Sequence, residues 1–271
     1  MARKSLIGMI KSAKTEDIAE KFKNDLIYTI EHNEEGHRPS KTISPSSAQC
    51  SRQISFRLSN FELDEGKSSS SLSLMATMGS AVHEFIQNNC LNLNKFTYVD
   101  VSKYIEEKGL DLKVVKPSNF EEGIYETHLH KLDKDGNPIV SFLLDGIIQD
   151  KQSGKYYILE LKTTNSGTLY KQDDVLSKHK VQANLYSILL MIPTVVFVYI
   201  GRETANIKSF QYSPSLADLQ ALKERCKYVL EKAKENIIVA KPQDIDRNKT
   251  CMYCNYRKTC SKIGEGEFKY D

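Results

Sequence analysis

The chain lacks an excess of either charge. Its 271 residues carry 38 lysines and arginines against 35 aspartates and glutamates, a formal net charge of +3. No whole-chain field announces a nucleic-acid partner, and any such contact has to come from a local patch. Long apolar runs are missing as well. The longest, from Leu185 to Ile200, is broken by Pro193 and falls short of the ~20 residues that span a bilayer, so no membrane contact is expected. The apolar run at 6–10 is too short for a secretory leader, and an intracellular, cytoplasmic protein is expected. Disulfides are scarce in that compartment. The six cysteines, at 50, 90, 226, 251, 254 and 260, therefore point to metal wherever they cluster.

With 40% hydrophobic residues the chain can bury a proper core, and its length suits one elaborated domain with appendages. The focal stretch runs from Tyr156 to Thr164. It reads as an apolar strand that turns Glu160 and Lys162 to one face and Leu161 to the other. A carboxylate beside an ammonium at the end of a buried strand suits binding a hard divalent cation and polarising a water near it. The plain alternative is a solvated ion pair on a strand edge.

Before that strand, residues 15–31 place Ile18, Phe22, Leu26 and Ile30 four apart. This is the apolar stripe of a helix that Thr15 can cap and that would pack on the core. Ser44-Pro45-Ser46 is a turn and helix-start signal, with Cys50 and Arg52 close behind. Cys50 reads either as a small buried hydrophobe or as a ligand. Residues 64–73 form a polar, low-complexity link. The spacing then predicts a helix over 74–90 with Met78, Val82, Ile86 and Cys90 on its core side. Gly79, His83 and Gln87 form a neighbouring stripe, and the missing side chain of Gly79 leaves room beside His83, a hydrogen-bonded structural group or a ligand. Residues 91–121 carry little pattern beyond a short helix at 101–108.

From 122 the period becomes that of strands. Segments 122–130, 139–149 and 155–162, separated by turns at 133–138 and 150–154, predict three antiparallel strands joined by hairpins. Asp145 interrupts the apolar middle strand, which is costly unless the carboxylate is paired or holds a metal, and its cross-strand neighbour is the strand of Glu160. A helix over 178–192 follows, with Val181, Leu185, Ile188 and Ile192 inward. Gln182 and Tyr186 lie one turn apart and either pack at the boundary or reach one common object. Strands at 194–200 and 206–212 lead to a helix at 216–237, periodic through Leu219, Leu222, Cys226, Val229 and Ala233. Cys226 and Cys90 thus belong to packing.

The tail holds Cys251, Cys254 and Cys260. Three thiols in so short a segment imply a shared metal or cluster. A four-thiolate site needs one more, and Cys50 is the only cysteine left outside a helical core stripe. Arg247, Lys249, Arg257 and Lys258, interleaved with Tyr253 and Tyr256, form the best local basic patch. It is either a solvated face or a hold on single-stranded DNA by charge and stacking.

In this order the motifs resemble the RecB-like branch of the PD-(D/E)xK nucleases that carries an iron–sulfur cluster, which includes CRISPR-associated RecB-like exonucleases and the AddB nuclease domain. The resemblance covers about 44–260. It rests on Ser44-Pro45-Ser46 with Cys50 and Arg52, on Gly79-Ser80-Ala81-Val82-His83-Glu84 as a histidine motif, and on Asp145-Gly146 as the metal aspartate. Glu160-Leu161-Lys162 stands as the (D/E)xK, Gln182 to Tyr186 as a Q-x-x-x-Y motif, and the last three cysteines as C-x₂-C-x₅-C. Leu144 stands where the family's name has proline, and 1–43 and 91–121 have no counterpart.

The resemblance implies an α/β (α+β) restriction-endonuclease-like core with a central mixed sheet flanked by helices. A helical extension at 1–43, a nuclease core at 44–240 with an insert at 91–121, and a cysteine tail at 241–271 closing on Cys50 would make up the chain. The implied activity is that of a metal-dependent DNA exonuclease acting on single strands or ends in recombination, repair or replication, with a helicase or recombination protein as a partner. A structure-specific or restriction-like endonuclease and a non-catalytic DNA-binding scaffold are the alternatives. By the same resemblance His83, Asp145, Glu160 and the main-chain carbonyl of Leu161 would hold Mg²⁺ or Mn²⁺, and Lys162 would orient or deprotonate a water. Gln182, Tyr186, Arg52, Arg257, Lys258 and Tyr256 would contact DNA. Cys50, Cys251, Cys254 and Cys260 would bind a [4Fe–4S] cluster, with Zn²⁺ the alternative.

Overall fold

The structure, a computed structural model, describes residues 18–32, 41–64, 70–89, 93–116, 126–243, 245, 247–252 and 254–270. Two compact units divide the chain, 1–37 with 65–78 and 38–64 with 79–271. In the first lies α1 (Ile18–His32), none of whose residues is buried. Ile18, Phe22 and Leu26 are exposed, where a core-facing stripe was expected. Of the four, Ile30 is half-buried. Thr15 and Cys90 lie outside the described residues, as do parts of the 64–73 link and of the segments at 91–121 and 122–130.

The second unit opens with a 3₁₀ turn at Pro45–Ser47 and α2 (Ser51–Leu58). The helix α3 (Ser70–Asn89) begins in the first unit and ends in the second. Then follow β1 (Phe96–Val99), α4 (Val101–Glu107), capped by the Asp100 side chain, and β2 (Lys113–Lys116). The strands were not legible in advance, while the helix was. Next come β3 (Thr127–Leu132), β4 (Pro138–Leu144), β5 (Gly146–Asp150) and β6 (Tyr156–Thr164). The chain continues through α5 (Ser166–Lys171), α6 (Ser177–Leu190), β7 (Val195–Gly201), β8 (Ile207–Tyr212) and α7 (Leu216–Lys234).

Five strands form the central sheet in the order β1-β5-β6-β7-β8. The β6–β7 pair is parallel, joined by a crossover through α5 and α6, and the other pairs are antiparallel. This is the expected α/β core with a mixed sheet flanked by helices. Ala183, Leu185 and Leu190 of α6 and Leu222 and Val229 of α7 share one core with Ile158, Val195 and Phe197 of the sheet. The middle strand of the expected hairpins, 139–149, is in fact two. It breaks at Asp145, so that β4 joins a three-stranded sheet, β2-β3-β4, while β5 joins the central one. Asp145 therefore sits at a junction between sheets and not inside a strand.

The tail packs within the second unit. It comprises β9 (Ile237–Ile238), α8 (Arg247–Met252), α9 (Arg257–Ile263) and β10 (Phe268–Lys269), with β9 and β10 paired antiparallel. A small second core of Phe56, Ile238 and Tyr256 takes in Cys254, Cys260 and Ile263, and the Phe56 and Tyr256 rings stack at 5.2 Å. The carboxylate of Asp64 caps α9, accepting from Thr259 N at 2.9 Å and Thr259 Oγ1 at 2.6 Å. Arg52, fully buried, donates to the carbonyls of Gly264 (2.5 Å) and Gly266 (3.1 Å). Among the described residues no helix is long and apolar enough to cross a membrane.

Because Arg52 ties α2 to the end of the chain, Arg52→Met should leave two carbonyls short of a donor and cost about 2–4 kcal/mol. The reading is a lower urea midpoint at an unchanged slope. A wild-type midpoint would mean that the two carbonyls find other partners.

Candidate active site

The register of β5 on β6 pairs Gly146 with Leu159, which brings Asp145 alongside Glu160. Beyond Gly146 the main chain leaves for the other sheet, and the Asp145 side chain takes over the ladder, its Oδ2 accepting from Leu161 N at 2.6 Å. Alternation along β6 sends Leu159 and Leu161 to a cluster with Ile148. Glu160 and Lys162 turn to the opposite face, toward α6.

Glu160 is 2% exposed. Its Oε1 accepts from Lys162 Nζ and, at 2.8 Å, from Gln182 Nε2, while its buried Oε2 has no partner among the described residues. Gln182 Nε2 also donates to the hydroxyl of Tyr186 at 2.9 Å, and that hydroxyl donates to the Leu143 carbonyl at 3.1 Å. The two α6 residues one turn apart bond to each other and then to different groups, Gln182 to Glu160 and Tyr186 to the end of β4.

From the other side comes α3. His83 Nδ1 lies 3.5 Å from Asp145 Oδ1 and 3.4 Å from Glu126 Oε1, and one ligand atom from each of these three residues fits within 4.8 Å of the others. One turn further on, Gln87 Nε2 donates to the Asp145 carbonyl at 3.2 Å. One turn back, a Cβ on Gly79 would stand 3.2 Å from Thr163 Oγ1, so the absent side chain lets α3 lie close to β6. The stripe of α3 turned inward is therefore Gly79, His83 and Gln87. Of the apolar stripe expected to face the core, Ile86 packs against the Ile148, Leu159 and Leu161 cluster and Val82 is half-buried, whereas Met78 is 50% exposed.

The electrostatics follow from crowding acids around few cations. Burial pulls the His83 imidazole down, but Asp145 and Glu126 outweigh it and push it up to about 10. Burial and the Asp145 charge raise the Glu160 carboxyl against the pull of Lys162. Lys162 itself is raised, its burial being outweighed by Glu160 and Asp145. Protons thus occupy a site whose donors are those of a cation site. Glu126 had no legible sequence signal, being one acid at the start of a strand; only the fold brings it to His83.

The remaining candidates lie elsewhere. Arg52 is enclosed and bonded to main chain, and Tyr256 is 1% exposed. Arg257 and Lys258 are exposed on α9, whereas Tyr253 and the Lys249 side chain are outside the described residues. Cys50, Cys251, Cys254 and Cys260 line one cavity of about 90 Å³ together with Arg52 and Phe56. Burial pushes the Cys50 and Cys260 thiols up, and that of Cys254 up to about 11. Cys226 packs against the main core, as expected.

Fold and site define an α/β protein in which His83, Glu126 and Asp145 are grouped as a possible cation site, beside Glu160 and Lys162. No family model matches the chain, and no curated protein does. Among solved structures, SSO0001 is 18% identical, with 92% of this chain and 98% of that chain covered at a TM-score of 0.44. LHK-Exo, an alkaline exonuclease from Laribacter hongkongensis, is 12% identical over 72% of this chain and 89% of its own at 0.36. Its complex with dAMP is 12% identical over 83% and 95% at 0.37. Likenesses this distant carry no argument about chemistry, which has to come from the side chains.

A cation entering this site must displace protons, from His83 up to about pH 10 and from Glu160. Apparent Mn²⁺ affinity should accordingly rise steadily with pH through the neutral range, with proton release seen by calorimetry in buffers of different ionisation enthalpy. His83→Ala should flatten the dependence. Affinity independent of pH in the wild type would contradict this assignment.

Proposed function

We propose that this chain is a metal-dependent deoxyribonuclease that hydrolyses phosphodiester bonds of single-stranded DNA or DNA ends. The observation that carries the reading is the group of buried Asp145, at the junction of β4 and β5, with buried Glu160 and half-buried Lys162 on the neighbouring β6, His83 and Glu126 converging on Asp145. Its residue order resembles the RecB-like PD-(D/E)xK nucleases. His83, Asp145, Glu160 and the Leu161 carbonyl would hold Mg²⁺ or Mn²⁺, with Glu126 at hand. The unpartnered Glu160 Oε2 fits this, since a buried carboxylate oxygen is costly unless something binds it. An imidazole among carboxylates favours Mn²⁺. The cation supplies a water of lowered pKa and draws charge from the phosphoryl oxygens.

The chain's own residues do the rest. Lys162, held by Glu160, is positioned to orient that water and to offset charge on the phosphorane. Gln182 holds the Glu160 carboxylate by its Oε1, which leaves Oε2 without a protein partner among the described residues, and Tyr186 fixes Gln182. These two act by positioning, because neither is exposed enough to hold a strand.

The four thiols we assign to a [4Fe–4S] cluster. What supports a shared metal group is that all four thiols line one cavity with Arg52 and Phe56, and Zn²⁺ is the alternative. Protein purified without oxygen should be brown and contain iron and sulfide; a colourless protein with stoichiometric zinc overturns the cluster and leaves the nuclease reading intact.

Asp145→Ala should lower Mn²⁺-dependent degradation of linear DNA by about a thousandfold or more with the protein still folded, although its unfolding midpoint falls by about a few degrees because Leu161 N loses its acceptor. Full activity in this variant would sink the reading. Closed circular DNA run in parallel separates the cases, since an exonuclease leaves it intact and an endonuclease does not.

A further inference from the structure

At the start of β6, at the opposite end of that strand from Glu160, a recess of about 640 Å³ is lined by Tyr104, Tyr156, Tyr157, Lys108, Lys155 and Met191. Its volume is that of a small-molecule site. Tyr156 lies roughly 13 Å along the strand from Glu160 at 3.3 Å per residue, so the recess is separate from the acid–histidine group.

Three features set it apart from ordinary surface. The Tyr104 and Tyr156 rings meet edge to face at 5.1 Å, and Lys108 Nζ stands over both, 6.0 and 5.4 Å from their centroids. Neither Lys108 nor Lys155 has a carboxylate within 4.0 Å among the described residues, although the Lys155 charge helps to hold the Asp150 carboxyl below its usual range. Tyr104 directs its hydroxyl inward to the Leu190 carbonyl at 3.1 Å, whereas the hydroxyls of Tyr156 and Tyr157 have no protein partner among the described residues. The recess therefore offers flat apolar surface, free phenols and positive charge together. Its complement is a flat, largely apolar ring system carrying an anion.

We propose that this recess binds a nucleotide unit, the base packing on the half-buried Tyr156 ring, which Tyr104 backs from the core, and the phosphate pairing with Lys108 and Lys155. Stacking on aromatic side chains with lysines on the phosphate is how single-stranded nucleic acid is held without regard to sequence. The site goes beyond the nuclease reading and does not require it, because binding here needs no cation and no chemistry.

The test is binding of dTMP and of a fluorescent thymidylate dodecamer in EDTA, where cation-dependent binding at the acid–histidine group is silent. Lys108→Glu with Lys155→Glu, both exposed, should weaken at least one probe by about tenfold or more with an unchanged unfolding midpoint. Lys108→Gln with Lys155→Gln should give a smaller loss in the same direction. Thymidine, which lacks the phosphate, should bind much more weakly than dTMP. Loss of dTMP binding assigns the recess to free nucleotide, and loss for the dodecamer alone assigns it to a unit within a strand. Failure of both probes to bind the wild type overturns the proposal. So does equal loss when the same charge change is made at Lys223 and Lys227 on α7, or no loss in the Lys108 and Lys155 variants. None of these outcomes bears on Asp145→Ala, so the two readings fail separately.

Discussion

One hydrogen bond, from Leu161 N to the Asp145 carboxylate at 2.6 Å, governs the rest of the site. The β5–β6 ladder runs out at Gly146 and Leu159, where the chain crosses from one sheet into the other. A main-chain donor left empty there would cost about 1–3 kcal/mol, and a buried carboxylate without a donor would cost more. Each group cancels the other's penalty. The junction is thereby held at one residue, and that residue sets where β4 ends, where the Leu143 carbonyl meets Tyr186, and which face of β6 carries Glu160.

The same junction explains why acids accumulate there at all. Asp145, Glu160 and Glu126 lie close to one lysine and one imidazole, and the balance is met by protons: His83 is pushed up to about 10 and Glu160 is raised. A core built for stability alone would place an apolar side chain at Glu160, whose surroundings are otherwise those of the main core. Local rules broken in one place with such costs mark a site and not a packing accident. The hydrogen-bond chain from Leu143 through Tyr186 and Gln182 to Glu160 then has a clear use, since it holds the acid at one orientation against the pull of Lys162.

Much of this was legible because strand periodicity is rigid. The period of two placed Glu160 and Lys162 together, the turns at 133–138 and 150–154 located the hairpins, and Gln182 and Tyr186 could be set on one helical face. Helical stripes were less legible. On α1 the apolar stripe is exposed, and on α3 His83 and Gln87 reach Asp145 while Ile86 packs on the Ile148 cluster, a sharing of faces that apolar character alone does not reveal. The break at Asp145 was hidden inside a continuous apolar run, because the sequence of β4 and β5 does not say that they belong to different sheets. Glu126 was invisible for a related reason: a ligand supplied by a third element has no spacing to betray it. The tyrosine recess was equally unmarked, its rings coming from α4 and β6, which meet only through the fold.

The tail poses the last question of cause. Cys50 and Cys260 are about 210 positions apart, and closing so long a loop costs the unfolded chain several kcal/mol of entropy by the logarithmic law. A group bridging the thiols would offset that, but it is not the only closure. Arg52 is bonded to Gly264 and Gly266, Asp64 caps α9, and Phe56 stacks on Tyr256. Three or four contacts worth about 1 kcal/mol each or more match the entropic cost by themselves. Closure and the thiol site are therefore separable, and the cavity lined by the cysteines is better understood as a place the closed tail creates than as the clasp that closes it.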